Sequence, residues 1–254
     1  MWLSLVLAAA VLAPVFLAEA ALKTDFRCVL QAPSIYHPMG TDALGRDLFA
    51  RVLLGSGVSL GVGFGAVAIA FVIGLWIGAL SGYYEGFTDR LLMGTANVFL
   101  CFPTIFLILG VIAVLGPSAV HVVWILGLTA WMGPARLVRA EILSLKTREF
   151  VMASRAMGGN DLWILWRHLI PNAMGPVIVN AILALAGAIL TETGLSFLGL
   201  GVQPPMPSWG NILMDAKSTA QVAWWQMFFP GLMIFLTVVS ANTVAEKAKQ
   251  RFKC

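Results

Sequence analysis

Glu192 lies inside an apolar run, "AILTETGLSF", where a carboxylate must do something to be kept. Placing an acid there costs about 2.5–3.5 kcal/mol on insertion scales, so it must face water or the interior of a helix bundle. Two roles fit it: lining a pathway or gate where it meets an amino group, or hydrogen-bonding between packed helices. A second charged cluster, "HPMGTDALGRD", places Asp42, Arg46 and Asp47 close together. A catalytic carboxylate pair is conceivable, but acids beside an arginine more often form local ion pairs. His37, His121 and His168 are far apart, and Cys28, Cys101 and Cys254 are scattered, so no metal-ligand spacing is present. No Gly-x-x-x-x-Gly-Lys-Ser/Thr loop occurs, and no Gly-Lys pair at all. The chain therefore has no usual cradle for nucleotide phosphates and is expected to bind no cofactor directly. An enzyme would need a cluster of acids, histidines or metal ligands near one interface, and none is visible. Glu141 is expected to pair with Arg136 or Arg139, or to be solvated.

The elements that hold these residues follow from composition. Of 254 residues 59% are hydrophobic and 11% charged, against roughly 25% charged in soluble domains. Mean hydropathy is +0.89. The apolar residues gather into runs of the ~20 residues that cross a hydrocarbon core, and none alternates as a barrel strand would. The expected fold is all-α, a polytopic transmembrane helical bundle of about six spans, near 1–20, 58–81, 91–115, 119–140, 173–200 and 222–244. The first ends in "LAEA", which resembles a signal-peptide cleavage site. It lacks a basic start and contains Pro14, so an uncleaved span is expected.

Orientation follows from lysine and arginine. With both termini inside, the inner side carries eleven (from Arg90 through Lys253) and the outer side five (Lys23, Arg27, Arg46, Arg51 and Lys217). This bias explains the net charge of +4 better than nucleic-acid binding, since no basic cluster is interleaved with aromatics. Gly74, Gly78 and Gly82 recur every four residues, as do Gly61 and Gly65, a flat ridge for close helix packing. Pro103 is expected to kink the third span.

Between the fourth and fifth spans lies "EFVMASRAMGGNDLWILWRHLIPN", residues 149–172. Phe150, Ala153, Ser154 and Met157 fall on one helical face, and Glu149 sits where the helix dipole favours an anion. Gly158 and Gly159 end that helix, and Asn160 or Asp161 can cap a second one. The second helix is expected to stop at Pro171. The result is a helix–Gly-Gly–helix hairpin at the inner surface. It is either a headgroup anchor, with Trp163 and Trp166 as interfacial residues, or a dock for a cytoplasmic partner.

This segment resembles the EAA loop of bacterial ABC importer permeases. The matching positions are Met152-Ala153-Ser154, then Gly158, then Pro171 with Asn172, with Met152 where the family has glutamate. "HPMGTDALGRDLFARVLLGSGVSLGVG" and "LSFLGLGVQPPMPSWG" are similar to segments of the C-type permease of dipeptide, oligopeptide and nickel importers. The C-terminal "AEKAKQRFKC" departs from the acidic-and-arginine ending usual there. The resemblance implies a multi-pass permease subunit of the cell inner membrane that forms half of a pathway for di- or oligopeptides, with nickel or another small solute as the alternative cargo. It implies a first span and outer segment over 1–57, a core permease domain over 58–244 and a cytoplasmic tail over 245–254. Residues 149–172, Glu149 and Gly159 included, become a coupling helix seated in a cytoplasmic ATPase. The implied partners are a homologous second permease, two ATP-binding cassette subunits holding ATP-Mg, an extracytoplasmic solute-binding protein and membrane lipid. The binding protein is expected to meet the outer surface near Asp42, Arg46 and Trp209, and Glu192 to lie on the pathway or a gate. A secondary transporter is the less favoured reading, because no inverted repeat is seen and only one intramembrane acid stands out.

Overall fold

Segments this apolar must satisfy their own backbone groups, and helix is the local way to do so. The computed structural model describes residues 2–252. Lys253 of the orientation count and Cys254 of the cysteine count lie outside them. Among the described residues every regular element is helical, with one isolated bridge between Thr41 and Asp47. In order they are α1 Trp2–Phe16, α2 Ala18–Leu22, α3 Leu48–Tyr84, α4 Gly86–Leu100, α5 Thr104–Leu115 and α6 Ala119–Ala130. There follow α7 Met132–Leu145, α8 Glu149–Ala156, α9 Asp161–Ile164, α10 Ile170–Phe197, α11 Trp209–Ala216 and α12 Trp225–Phe252.

Three helical runs are long and apolar enough to cross a membrane: Leu48–Tyr84, Asp161–Phe197 and Trp225–Phe252. A fourth arises if α4 and α5 count as one broken span, bent by 80°. Pro103 therefore does more than kink the third expected span. It has no N–H to give, and it pushes the residue before it out of helical geometry, so the helix stops and restarts. The fourth expected span divides into α6 and α7, of 12 and 14 residues, with Pro134 in the first turn of α7. There its missing N–H is one the helix start could not have used. α1, at 15 residues, is shorter than the ~20 of a full crossing.

The described chain divides into two compact units. The first comprises the residues up to Gly65, Leu109–Val123 and Leu185–Thr243. Its centre is polar and aromatic. The Trp209 indole is fully buried and donates to the Val52 carbonyl at 3.1 Å. The Trp225 indole donates to the Thr41 carbonyl at 3.2 Å. Gly40, at φ +77°, leaves room for that ring: a Cβ there would lie 2.7 Å from the indole nitrogen.

The second unit comprises Ala66–Ile108, Trp124–Ala184 and the residues from Val244 onward. Here the glycine ridge finds its partner in α7. A Cβ on Gly74 would lie 2.6 Å from Pro134 Cβ, and one on Gly82 would lie 2.8 Å from the Arg139 carbonyl oxygen. Gly61, by contrast, has nothing within 4 Å of that position, so the working ridge is Gly74, Gly78 and Gly82. Arg139 grips Asp89 on α4 through two hydrogen bonds of 2.6 Å, and Arg136 donates to Asn97. These, and not Glu141, are the partners the two arginines take. Glu85 joins α3 to α4 at φ +51°, a strained conformation costing on the order of 1–3 kcal/mol. Lys146 holds that corner by reaching Glu85 and the Tyr83 carbonyl.

Candidate functional site

The hairpin over residues 149–172 is built from strong local signals. Glu149 occupies the first turn of α8 and Arg155 the last, each complementing the helix dipole. Gly158, at φ +84°, takes the left-handed conformation that ends the helix. Asn160 caps α9 by accepting from the Trp163 N–H at 2.7 Å. The second arm does not stop at Pro171. A π-turn, Leu165–Leu169, carries it into α10, so Asp161–Phe197 is one run of 37 residues. The wider turn relieves the clash a proline ring makes with the carbonyl four residues earlier. Asn172 anchors there by donating to the His168 carbonyl.

The expected face of α8 splits in two. Val151 and Ser154 are buried, and Val151 joins Ile164, Leu165 and Leu169 of the second arm against Ala79 and Tyr83 of α3. Phe150, Ala153 and Met157 are exposed, Met157 at 81% and Met152 beside them at 55%. Apolar side chains are thus left uncovered on a hairpin that is firmly packed along the adjoining seam of Val151 and Ser154. A cavity of about 240 Å³ between the arms is lined by Ser154, Met157, Gly158, Gly159 and Trp163. His168 stacks edge-on against Trp163 at 4.8 Å and also meets Phe150.

Glu192 is fully buried in the first unit. It accepts hydrogen bonds from Ser59 Oγ on α3 at 3.0 Å and from Ser196 Oγ at 2.7 Å. Ser59 accepts in turn from the Trp209 N–H, and Ser196 from the Val202 N–H. The acid therefore knits α3, α10 and α11 together, and the geometry fits the interhelical role named for it above.

Asp42 is a second hub. It takes the Arg46 Nε and one Arg51 guanidinium nitrogen at 2.6 Å each, along with the Leu44 and Arg46 N–H groups. Arg51 also reaches Asp215 on α11 at 3.1 Å. Burial pushes the Asp215 carboxyl above its usual range, Arg46 pulls it back and the charge of Asp42 adds to the rise. Two of the three residues expected at an outer contact surface lie inside instead: Asp42 is 3% exposed and Trp209 0%. Buried hydrogen bonds claim both: Asp42 through Leu44, Arg46 and Arg51 of its own segment, as the local ion pairing of acids beside an arginine leads one to expect, and Trp209 through the Val52 carbonyl 157 residues away. Arg46 alone of the three is partly open to solvent. His37 pairs with Asp47 at 2.7 Å, and His121 meets the Gly116 carbonyl at 2.9 Å. No group of three or more metal-ligating side chains is found among the described residues.

Comparison with known proteins supplies a frame for this geometry. The profile of the family described as binding-protein-dependent transport system inner membrane component matches residues 70–253. The glutathione transport system permease protein GsiD of Pectobacterium atrosepticum is 40% identical over 222 residues, 87% of this chain and 74% of that protein. The dipeptide transport system permease protein DppC of Alkalihalophilus pseudofirmus is 38% identical over 237 residues, 93% and 78% of the two. Among solved structures, a chain of the MetNI methionine ABC transporter in an inward-facing conformation superposes with a TM-score of 0.60 at 21% identity. It covers 79% of this chain and 97% of that one. A chain of an amino acid ABC transporter with histidines gives 0.57 at 16% identity, covering 80% and 94%.

Proposed function

This chain belongs to the binding-protein-dependent transport system inner membrane component family and is a permease component of an ABC importer, and from that premise we propose that it carries di- or oligopeptides, glutathione included, and is driven through its hairpin. The peptide reading is supported by the names of the relatives, two of which transport glutathione and dipeptides. Nickel is the runner-up cargo.

In this reading the chain crosses the inner membrane six times with both termini in the cytoplasm, over a core permease domain of 58–244. α1, the bent pair α4–α5 and the pair α6–α7 supply the crossings that the three long helices do not. One chain forms half of the pathway and pairs with a homologous permease. Two cytoplasmic ATPases hold ATP-Mg, and an extracytoplasmic binding protein delivers cargo. That protein meets the exposed residues 203–206 and the side of Arg46 open to solvent.

The observation that carries the docking role is the exposure of Phe150, Ala153 and Met157 alongside a buried seam of Val151 and Ser154. A headgroup anchor needs only one apolar face in lipid. This hairpin instead has one side fixed in its own chain and a second side ready for a protein groove. Met152 lies beside that exposed face, so the contact there is apolar and not charged. ATP-driven closure of the ATPases moves the hairpin and biases the permease between inward-open and outward-open states, which requires tighter binding to one of them. The test is Met157→Asp together with Phe150→Asp. Both variants insert normally, yet the ATPase no longer co-purifies and uptake of labelled dipeptide is lost. Undiminished co-purification in both variants removes the docking role.

A further inference from the structure

Tyr83 of α3 is tied to both arms of the hairpin by polar contacts as well as by packing. Its hydroxyl donates to Asp161 Oδ1 at the start of the second arm at 2.5 Å. The Arg155 guanidinium of the first arm lies over its ring, 5.4 Å from the centroid. Lys146, three residues before the hairpin begins, donates to the Tyr83 carbonyl at 2.9 Å and to Glu85 just beyond it. The ring itself is 5% exposed and packs in the same apolar cluster as Val151 and Ile164.

Two kinds of contact therefore join the hairpin to α3, and they differ in what they can transmit. The apolar contacts, the edge-to-face pair of Trp76 and Trp166 among them, resist separation but fix the hairpin's rotation less sharply than a directional bond does. The hydroxyl–carboxylate bond is directional and charge-assisted, and it lies at the edge of the cluster, where it opposes rolling. Beyond Tyr83, α3 is backed by the glycine ridge against α7, whose backbone approaches too closely to absorb a tilt by repacking side chains.

We propose that Tyr83 is a positioning residue for coupling: its hydrogen bond to Asp161 makes the end of α3 turn with the hairpin, so that α3 as well as α10 receives the ATPase stroke. This rests on the docking reading given above. With that bond removed, the hairpin still binds the ATPase and still moves, but α3 does not follow.

The test uses the assembled importer in native membranes with Cys28, Cys101 and Cys254 replaced by serine. A reporter cysteine is placed either at Met157 on the hairpin or at Val72 on α3, both exposed and separated from Tyr83 in opposite directions along the chain. Thiol labelling is measured with and without ATP-Mg and vanadate, which needs no knowledge of the cargo. In the otherwise native chain both reporters change with nucleotide. In Tyr83→Phe, which keeps the ring and its packing, the Met157 reporter still changes while the nucleotide effect at Val72 falls roughly fivefold or more. Asp161→Asn keeps an acceptor and behaves as the native residue, whereas Asp161→Ala behaves as Tyr83→Phe. A nucleotide effect at Val72 that persists in both Tyr83→Phe and Asp161→Ala overturns the proposal and leaves docking intact. An inert Met157 reporter in the otherwise native chain overturns docking and this proposal together.

Discussion

Replacing Glu192 by glutamine separates a pathway role from an interhelical one, because the two predict different losses. In the native arrangement Ser59 and Ser196 both donate to the carboxyl, and each already accepts from a backbone N–H. Glutamine offers one oxygen and one NH2 group in the same place. One serine must then turn its hydrogen away to accept from that NH2, and both serines are essentially unexposed, at 0% and 1%. The hydrogen finds no acceptor, and an orphaned buried donor costs about 1–3 kcal/mol. At about 2–4 °C per kcal/mol for a chain of this size, the thermal midpoint of purified protein falls by roughly 2–12 °C. Transport per folded molecule, measured in proteoliposomes at a temperature well below that midpoint, stays near the native value. An unchanged midpoint combined with a large drop in transport per molecule would refute this reasoning and return Glu192 to the pathway.

Gly78→Ala tests the ridge on α3. Its Cβ would stand 2.8 Å from Val138 Cβ and 3.0 Å from the Arg139 nitrogen, so the helices must part, at a cost of about 1–3 kcal/mol. Gly61→Ala, which meets nothing within 4 Å, should leave the thermal midpoint unchanged or raise it; equal losses at the two positions would contradict the account. Asp215 supplies a pH prediction. Its folded-state affinity for a proton is raised by burial, so its contribution to stability is full at low pH and is lost as pH rises through the folded pKa. The stability of the native chain relative to Asp215→Asn should therefore decline as pH rises above the ordinary carboxylate range in chemical denaturation, and a difference that grows with pH would overturn the sign.

Local features were legible in the sequence and distant ones were not. The glycine spacing, the Gly158 turn and the Asn160 cap depend on neighbours within a few residues, and each appears where the residues place it. The helical class followed from runs without alternation. The breaks at Pro103 and before Pro134 were harder to see, because hydropathy stays high across a bend and only backbone geometry changes. Pro171 misled in the opposite sense: a π-turn absorbs it, and no residue type announces such a turn. Trp209 looks like a surface group in a loop motif until Val52 is brought to it by folding, and the Asp42–Arg46 pairing was legible where the approach of Asp215 to Arg51 was not. Tyr83 carried no signal at all, since its partner Asp161 is 78 residues away.

The hub around Asp42 and Arg51 also has a consequence for how the chain is made. Arg51 meets Asp215 across 164 residues of sequence, and Thr41 meets Trp225 across 184. At about 5–20 residues per second, the ribosome needs roughly 8–33 s to produce Asp215 after Arg51. Throughout that interval the segment before α3 has emerged without two of its long-range partners, and the Arg51 guanidinium has only Asp42 to balance it. Quality-control proteases would meet this stretch while those partners are still to be made. The segment before α3 is complete only once α11 and α12 have followed it.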